Sequence, residues 1–432
     1  MVRRLLPGVY EGWIVVGSTG FLILTIGATF FWGFGAIFSE MINEFGWSVA
    51  ATALAFSLRT EVGGVSAPII GIVIDRFGTQ RVMVAGVLLT VLGFVCISLV
   101  QTLPQFYAAM VLTAVGTSAC GYPVGFAAIA TWFNRRRSSA MAMITIGGGI
   151  GGMFAVVVGQ LVEAFGWRAA LQLMAAFMLT VGVVIAMNVR SRPEAHPQPM
   201  DGDRLEGSVT EGAAAVAWGV PVRQALASRS FITMSLGVIA LSFATNAVVV
   251  HQIPYLEKDL HISKALAASS VTVFAIVSIL GRLGIGVLAD RYSKRVMLAG
   301  TALLTAIGLA ILATAASFTV AMIGILIIAP AFGGLLPVRP AILADYFGTR
   351  HFGTINGSAM LVTTTGGAVG PWVVGRMVDL SGHYAEGWVV CAAMAALAIP
   401  LLLLSTPPTA LIEQYRGTSV DAGAAPVVLD AH

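Results

Sequence analysis

Twelve apolar runs, each about twenty residues long, constrain this chain more than any other feature of its sequence. A helix of about 20 apolar residues crosses the roughly 30 Å hydrocarbon core of a bilayer. The runs lack the ten-residue alternation of apolar and polar residues that is typical of transmembrane β-strands. We therefore predict an all-α membrane protein with twelve transmembrane helices. The predicted spans are roughly 12–37, 48–70, 82–101, 105–130, 139–162, 169–189, 231–253, 265–288, 296–314, 318–343, 354–379 and 386–405.

The composition agrees with this prediction, because the chain is too poor in charge to cover a soluble protein. Of its 432 residues, 57% are hydrophobic and 10% are charged, whereas a typical soluble domain is about 25% charged. This excludes a soluble enzyme, a secreted disulfide scaffold and a nucleic-acid-binding protein. The cysteines show no disulfide or metal-ligand spacing, and no nucleotide-binding loop is present. We expect no enzymatic activity, no cofactor, no metal, and neither a nucleotide nor a nucleic acid as partner.

Basic residues are distributed unequally between the two sides that the spans define. Seventeen Lys and Arg residues fall on the side that carries both termini, and four fall on the other side. Because short basic loops stay on the cytoplasmic side of a membrane, both termini are predicted to be cytoplasmic, in a bacterial-type inner membrane. The remaining three basic residues, Arg59, Arg282 and Arg339, lie inside predicted spans.

The two halves of the chain repeat each other at an offset close to 215 residues. Residues 71–81, Gly-Ile-Val-Ile-Asp-Arg-Phe-Gly-Thr-Gln-Arg, follow the second span, and residues 286–295, Gly-Val-Leu-Ala-Asp-Arg-Tyr-Ser-Lys-Arg, follow the eighth. A repeated six-helix unit implies two bundles with a binding site between them. We predict an N-terminal bundle at 1–189, a cytoplasmic linker at 190–230, a C-terminal bundle at 231–405 and a disordered cytoplasmic tail at 406–432.

These repeated loops resemble the signature of the major facilitator superfamily, G-x-x-x-D-R-x-G-x-x-R/K. The resemblance implies two pseudo-symmetric six-helix bundles, the major facilitator fold. Gly71 would let two helices approach closely, and Asp75 would accept hydrogen bonds from a neighbouring helix N-terminus and from arginine. Such contacts would hold one conformation and break in the other. The residues predicted to form this conformational latch are Gly71, Asp75, Arg76, Arg81, Asp290 and Arg291.

Within the superfamily, the chain is similar to the monocarboxylate transporter and oxalate/formate antiporter group. The similarity rests on Tyr-Glu-Gly-Trp at 10–13, Trp-Phe-Asn-Arg-Arg at 132–136, His251 at the end of the seventh span and Arg282 in the eighth. It implies a secondary transporter that moves a small monocarboxylate, lactate-like or pyruvate-like, by proton-coupled alternating access. The expected partners are a small organic anion, protons and the lipid bilayer, with a monomeric chain. The alternatives are an oxalate/formate-type anion exchanger, proton-driven drug efflux and a non-transporting membrane sensor.

Arg282 is the predicted substrate-binding residue. Placing a charge in the bilayer costs about 2.5 kcal/mol or more, and a guanidinium binds a carboxylate through two parallel hydrogen bonds. Arg282 lies eight residues before Asp290, which is about 12 Å along a helix and close to the midplane. The substrate-binding arginine of the group lies at the matching position of its eighth helix. A structural ion pair is the alternative.

Two departures from the group bear on the substrate and on proton coupling. Ser278 stands where many members have an aspartate, which leaves the proton-coupling group open. Residues 363–367, Thr-Thr-Thr-Gly-Gly, lack the lysine that the oxalate transporter carries in its eleventh helix. One midplane cation matches one carboxylate, so a monoanion is expected in preference to a dicarboxylate.

The other candidate residues are assigned by position and by resemblance. Arg59 and Arg339 are expected to be structural, and Arg339 is placed near the latch because it precedes Asp345 by six residues. Glu61 and His251 are the candidates for proton coupling, since an interior carboxyl group or imidazole can titrate during transport. The residues predicted to contact substrate are Arg282, His251, Tyr122, Phe332 and Ser278.

Overall fold

The computed structural model of the chain describes residues 9–47, 49–191, 200–202 and 218–423. Most of these residues are helical, and they form twelve long rods, α1 to α12, and a terminal helix, α13. The rods of the first half are α1 (Glu11–Ile26, Gly27–Trp32 and Phe34–Phe45), α2 (Val49–Phe77), α3 (Thr79–Ser98), α4 (Leu103–Ala119 and Tyr122–Trp132), α5 (Arg137–Gly151, Gly152–Phe154 and the part of Ala155–Phe177 before Gly166) and α6 (the rest of Ala155–Phe177, Met178–Gly182 and Val183–Ala186). The remaining helices are α7 (Arg229–Lys258), α8 (Lys264–Arg291), α9 (Lys294–Thr314), α10 (Phe318–Phe347), α11 (Phe352–Ser381), α12 (Ala385–Leu404) and α13 (Thr409–Gly423).

The twelve rods occupy the twelve predicted spans, and the all-α prediction is confirmed. Nine helical stretches of the described residues are long and apolar enough to cross a membrane by length and composition alone. The rods divide into two groups of six, α1–α6 and α7–α12. Gly166 separates α5 from α6 with φ at +79°, a backbone conformation that glycine adopts without a steric penalty.

Glycine allows close helix packing at equivalent places in the two halves. In the first half, Gly93 of α3 lies against Thr113 in α4. In the second half, the equivalent Gly308 of α9 lies against Ile328 in α10. Small residues bring membrane helices together in this way because backbone and side-chain atoms can then make van der Waals contact over a large area. The repeat in the sequence is therefore also a repeat in packing.

The halves meet on the face that carries the loops at 77–79, 132–137, 291–294 and 347–352, which we call the basic side. There α2 packs on α11, and α5 packs on α8 and α10. The α2–α11 contact includes Gly64, which lies against Thr364, and the α5–α8 contact includes Gly149, which lies against Ile279. The basic side is therefore closed, and the described contacts between the halves reach at least the middle of the rods.

The linker and the tail depart in part from prediction. In the linker, Val222–Ala227 forms a short helix. The tail predicted to be disordered is helical over Thr409–Gly423, so that prediction is wrong there. The polar composition of the tail did not indicate this helix. Leu411 and Tyr415 pack against the core, and the Tyr415 hydroxyl donates to Gln224 at 2.9 Å. Residues 192–199, 203–217 and 424–432 lie outside the described residues.

Candidate functional site

Arg282 lies at the contact between the two halves. Its side chain is buried, with 8% exposed, and Nη1 donates a hydrogen bond across the interface to the carbonyl oxygen of Thr145 in α5. Its Nε has no hydrogen-bond partner among the described residues, and none of the ion pairs found in them involves Arg282. A guanidinium with an unused donor and no carboxylate partner can bind an anion.

Tyr122, at the start of the second segment of α4, is brought to the same place. Its hydroxyl interacts with the Arg282 guanidinium and lies against Gly148 of α5. A side chain at position 148 would occupy the space that the hydroxyl fills. Tyr122 and Arg282 come from different halves, so together they form a polar pair that an anion between the halves would contact.

Ser278 and Phe332 lie near Arg282, but their side chains contact only residues of the second half among the described contacts. The Ser278 hydroxyl donates within its own helix to the carbonyl of Ala275 at 2.9 Å. The Phe332 ring packs against Phe274 of α8, with 5.4 Å between centroids. The structure therefore places both residues in the α8–α10 interface. Their roles in substrate binding remain predictions.

His251 lies apart from Arg282. Gln252, the next residue, donates to Ser270 of α8 at 2.6 Å. Arg282 comes twelve residues after Ser270, so the two sites differ in depth by about 18 Å. The structure does not bring His251 and Arg282 together.

The hydrogen bonds of His251 define its tautomer. Nε2 lies 2.8 Å from the carbonyl oxygen of Pro371 in α11, which can only accept, so Nε2 carries the proton of the neutral ring. Nδ1 then accepts from the Tyr384 hydroxyl at 3.4 Å. Burial, with Asp259 and Asp379, raises the pKa of Tyr384, which keeps that hydroxyl protonated and able to donate.

Glu61 and Arg59 differ in their surroundings, although both lie on α2. The Glu61 side chain is exposed. Arg59 donates to the carbonyl of Phe30 at 2.5 Å, and its guanidinium lies 4.7 Å from the centroid of the Phe31 ring. The carbonyl belongs to the π-helical turn of α1, Gly27–Trp32. These contacts agree with a structural role for Arg59.

Asp75 forms the predicted contact with a helix N-terminus. Its carboxylate accepts from the backbone N–H groups of Gly353 and Thr354, each at 2.8 Å, and from the Thr354 hydroxyl at 2.6 Å. Gly71, one turn earlier, lies against the backbone of Gly353. The contact joins α2 of one half to the start of α11 in the other. Arg76 and Arg81 are exposed and take no part in it.

Asp290 makes the equivalent contact in the second half. Its carboxylate accepts from the N–H groups of Ser138 and Ser139 at 2.8 and 2.9 Å, at the start of α5. The neighbouring Arg291 is exposed. The two aspartates therefore cap two helices across the interface, because each carboxylate favours the positive end of a helix dipole.

A charge cluster that the sequence did not indicate completes the basic side. Arg137, with 4% of its surface exposed, forms an ion pair with Asp345 across the interface. Lys294 binds the other carboxylate oxygen of Asp345 at 2.7 Å. Arg135 and Arg136, in the same run, are exposed. Arg137 is buried, unlike Arg135 and Arg136, because of the direction in which α5 turns it. No local pattern in the sequence indicates which of the three arginines is buried.

Asp201, in the linker, is bound to the loop before α5. Its carboxylate accepts from the N–H groups of Asn134, Arg135 and Arg136 at 3.0 to 3.2 Å. Asp201 is 5% exposed and has φ of +65°, an unfavourable conformation for a residue other than glycine. The linker is thereby fixed beside the helix start that Asp290 caps.

Arg339, which was predicted to lie near the latch, contacts the interior part of α11. Its Nη1 donates to the Thr363 hydroxyl of α11 at 2.6 Å, away from the basic side. The reason is that side chains on a helix point toward its N-terminus, which for α10 is the opposite side of the molecule.

The comparison with protein families decides the identity of this fold. The family model described as Major Facilitator Superfamily matches residues 20–252 and again residues 234–428. The chain belongs to the major facilitator superfamily. It is thus an integral membrane transporter and not an enzyme. Its two matches together cover both halves described above and overlap within α7, at residues 234–252.

Relatives in sequence include monocarboxylate transporters. Monocarboxylate transporter 13 of Rattus norvegicus is 26% identical over 388 residues, covering 88% of this chain and 86% of the relative. Monocarboxylate transporter 12 of Homo sapiens is 24% identical, covering 88% and 77%. The fujikurins efflux protein of Gibberella fujikuroi is 28% identical over 259 residues, and that alignment covers 59% of this chain and 52% of the relative.

Solved structures confirm the fold. The transporter FucP in its outward conformation superposes with a TM-score of 0.69 at 15% identity, covering 92% of this chain and 100% of FucP. The human organic anion transporter MFSD10 superposes with a TM-score of 0.66 at 14% identity, covering 91% and 98%. The prediction of a major facilitator fold is confirmed by these superpositions and by the family match.

Proposed function

We propose that this transporter carries a small monocarboxylate, lactate-like or pyruvate-like, by proton-coupled alternating access, with Arg282 binding the carboxylate. The observation that carries the proposal is the buried Arg282 guanidinium at the interface, which has no carboxylate partner among the described residues. The resemblance of the chain to monocarboxylate transporters 12 and 13 supports the same substrate class.

The contacts of Arg282 suggest how an anion favours movement. With the basic side closed, Nη1 binds the Thr145 carbonyl of the other half. Separation of the halves breaks this bond, and a bare guanidinium at the midplane is costly. A bound carboxylate keeps the guanidinium compensated during separation, so the loaded carrier changes conformation more readily than the empty one. A ligand shifts such an equilibrium only by binding its states differently.

Proton coupling is assigned to Glu61 or His251, which the sequence nominated. The Glu61 side chain is exposed on α2. Protonation of His251 changes the bond that its Nδ1 accepts from Tyr384, and it acts at a distance from Arg282. We propose that the basic side, with both termini, faces the cytoplasm and that substrate reaches Arg282 from the other face.

Uptake of labelled lactate and pyruvate by purified protein in liposomes tests the proposal, with and without an inward proton gradient. Arg282→Ala should abolish uptake, whereas Gly284→Ala should not, since position 284 has open space for a methyl group. If the Arg282→Ala variant is folded and inserted and takes up the acids as fast as the wild type, the assignment of Arg282 as the carboxylate-binding residue is wrong. Glu61→Gln and His251→Gln are measured in the same way. The variant in which the proton gradient no longer increases uptake identifies the coupling residue.

Two other outcomes separate the alternatives. Counterflow that does not respond to a proton gradient would identify an anion exchanger of the oxalate/formate type. Efflux is the second candidate because the chain resembles the fujikurins efflux protein. Proton-driven export of a lipophilic product, without saturable carboxylate uptake, would favour it.

A further inference from the structure

Three consecutive glycines in α5, at residues 147–149, face three different neighbours of that helix. The first lies against the backbone of Gly20 in α1, the second against the Tyr122 hydroxyl of α4, and the third against Ile279 of α8. Successive positions on an α-helix point about 100° apart, so each glycine meets a different part of the molecule. The three positions therefore need separate explanations.

The contact at Gly148 differs in kind from the contact at Gly147. A Cβ atom at position 147 would meet the carbonyl oxygen of Gly20, which belongs to the α1 backbone. A Cβ atom at position 148 would meet side-chain atoms, first the Tyr122 hydroxyl oxygen and then a methyl group of Ile23 at 3.4 Å. Close approach of two backbones explains the glycine at 147, whereas the glycine at 148 makes room for a hydroxyl group.

The Tyr122 ring is held in place on the side away from Gly148. It stacks on the ring of Phe126, one helical turn later, with 5.7 Å between centroids and 21° between planes. Tyr122 also begins the second segment of α4, after the break at residues 120–121. A methyl group at position 148 would therefore displace the hydroxyl group, either by tilting the ring off Phe126 or by turning it away from Arg282.

The position of this hydroxyl group matters because it interacts with the Arg282 guanidinium across the contact between the halves. The guanidinium lies over the same turn of α5. Its Nη1 atom donates to the carbonyl oxygen of Thr145 and would lie 3.6 Å from a Cβ atom at position 149. One turn of α5 thus sets the place of the Tyr122 hydroxyl and also receives Arg282.

The contact between Gly148 and Tyr122 lies within one half of the molecule. Both residues belong to the first half, on α5 and α4, whereas Arg282 belongs to the second half. Because the halves move largely as rigid bodies in alternating access, their separation on the basic side leaves this contact intact. The hydroxyl group keeps its place in the first half while Arg282 moves relative to it.

We infer that Gly148 is a positioning residue of the substrate site, which acts through Tyr122 by leaving its hydroxyl group the space beside Arg282. This inference rests on the proposed function and adds a residue to the same site. The hydroxyl group fixes the orientation of the guanidinium that a carboxylate meets, and a preorganised group binds more tightly because less freedom is lost on binding. A larger residue at position 148 lowers the affinity for the carboxylate without touching it.

Uptake of labelled lactate into liposomes at increasing concentration, with the melting temperature of the full-length protein, tests the inference. Tyr122→Phe should raise the half-saturation concentration about tenfold, as expected for loss of one hydrogen bond to a charged group. Gly148→Ala should raise it to a similar extent and leave the maximal rate per folded transporter within about twofold of the wild type. A methyl group that only disturbed packing would lower the melting temperature without changing the half-saturation concentration.

The double variant Gly148→Ala/Tyr122→Phe separates the effect of the hydroxyl group from packing in general. Phenylalanine lacks the oxygen atom that the methyl group meets, so the double variant should match Tyr122→Phe alone in half-saturation concentration and in melting temperature. Gly147→Ala, which meets the α1 backbone, should lower the melting temperature whether or not Tyr122→Phe is present. Gly159→Ala, also in α5 but with open space around it, should behave as the wild type.

A wild-type half-saturation concentration in Gly148→Ala would overturn the inference, as would additive effects of the two substitutions, about 100-fold together. In either case, loss of uptake in Arg282→Ala would leave the proposed function intact. If the wild type shows no saturable uptake of lactate or pyruvate, the proposed function fails and the inference fails with it. If Gly148→Ala alone does not fold, the double variant should still fold, and a double variant that does not fold would overturn the inference.

Discussion

Replacement of Asp75 by asparagine should open the basic side of the transporter. The Asp75 carboxylate accepts three hydrogen bonds from the start of α11, at 2.8, 2.8 and 2.6 Å. These bonds exist only while the halves are in contact, so they stabilise the closed conformation alone. Asparagine has a similar shape but no charge, and its amide nitrogen would face an N–H donor.

The size of the effect follows from these bonds. A hydrogen bond to a charged group contributes about 1.5 to 3 kcal/mol, and the favourable charge at the helix N-terminus adds to it. Asparagine retains one acceptor, so we expect the closed conformation to lose about 2 to 3 kcal/mol. Because 1.4 kcal/mol corresponds to a factor of ten, the ratio of closed to open protein should fall about 30- to 150-fold.

Spin labels on the basic side measure this ratio. Arg81 and Arg291 are exposed and belong to different halves, so cysteines at both positions report the separation of the halves. Cys96, which is partly exposed, is first replaced by alanine, whereas Cys120 and Cys391 are buried. The distance distribution of Asp75→Asn should shift from mainly short to mainly long separations.

Arg76→Gln provides the matched control, since Arg76 adjoins Asp75 in the sequence signature but is exposed, with its guanidinium 5.4 Å from the centroid of the Phe77 ring. The distance distribution of this variant should resemble that of the wild type. The reasoning is refuted if Asp75→Asn leaves the short separations dominant, or if Arg76→Gln opens the basic side to the same extent.

Three further predictions concern the same side of the molecule. Gly71→Ala should favour the open conformation, because its methyl group would meet the Gly353 backbone, whereas Gly63→Ala, with open space around it, should not; the spin-label distances distinguish them. Arg137→Gln and Asp345→Asn should each destabilise the closed conformation by about 2 kcal/mol or more, and the double variant by less than their sum, measured by a double-mutant cycle. Asp201→Ala should increase amide hydrogen exchange at residues 134–136, and unchanged protection there would contradict the role assigned to its carboxylate.

Much of the fold could be predicted because a transmembrane helix is encoded locally. Length and hydropathy located the twelve rods, and the repeated loop identified Asp75 and Asp290, which cap equivalent helices. The scarcity of charge in the spans drew attention to Arg282, which the structure places at the interface. The tail was wrongly predicted to be disordered because its composition is polar. Its helix packs on the core through Leu411 and Tyr415, and composition does not show such a contact.

The sequence by itself determined the number of rods, their pairing into two halves and the presence of three interior arginines, because these depend on runs of adjacent residues. Only the tertiary structure decided which charges meet. Arg137 and Asp345 are 208 residues apart, and their pairing depends on how two helices are rotated. The depth of the Arg339 guanidinium likewise depends on the direction of a long side chain, which shifts a charge by several ångströms from its place in the sequence.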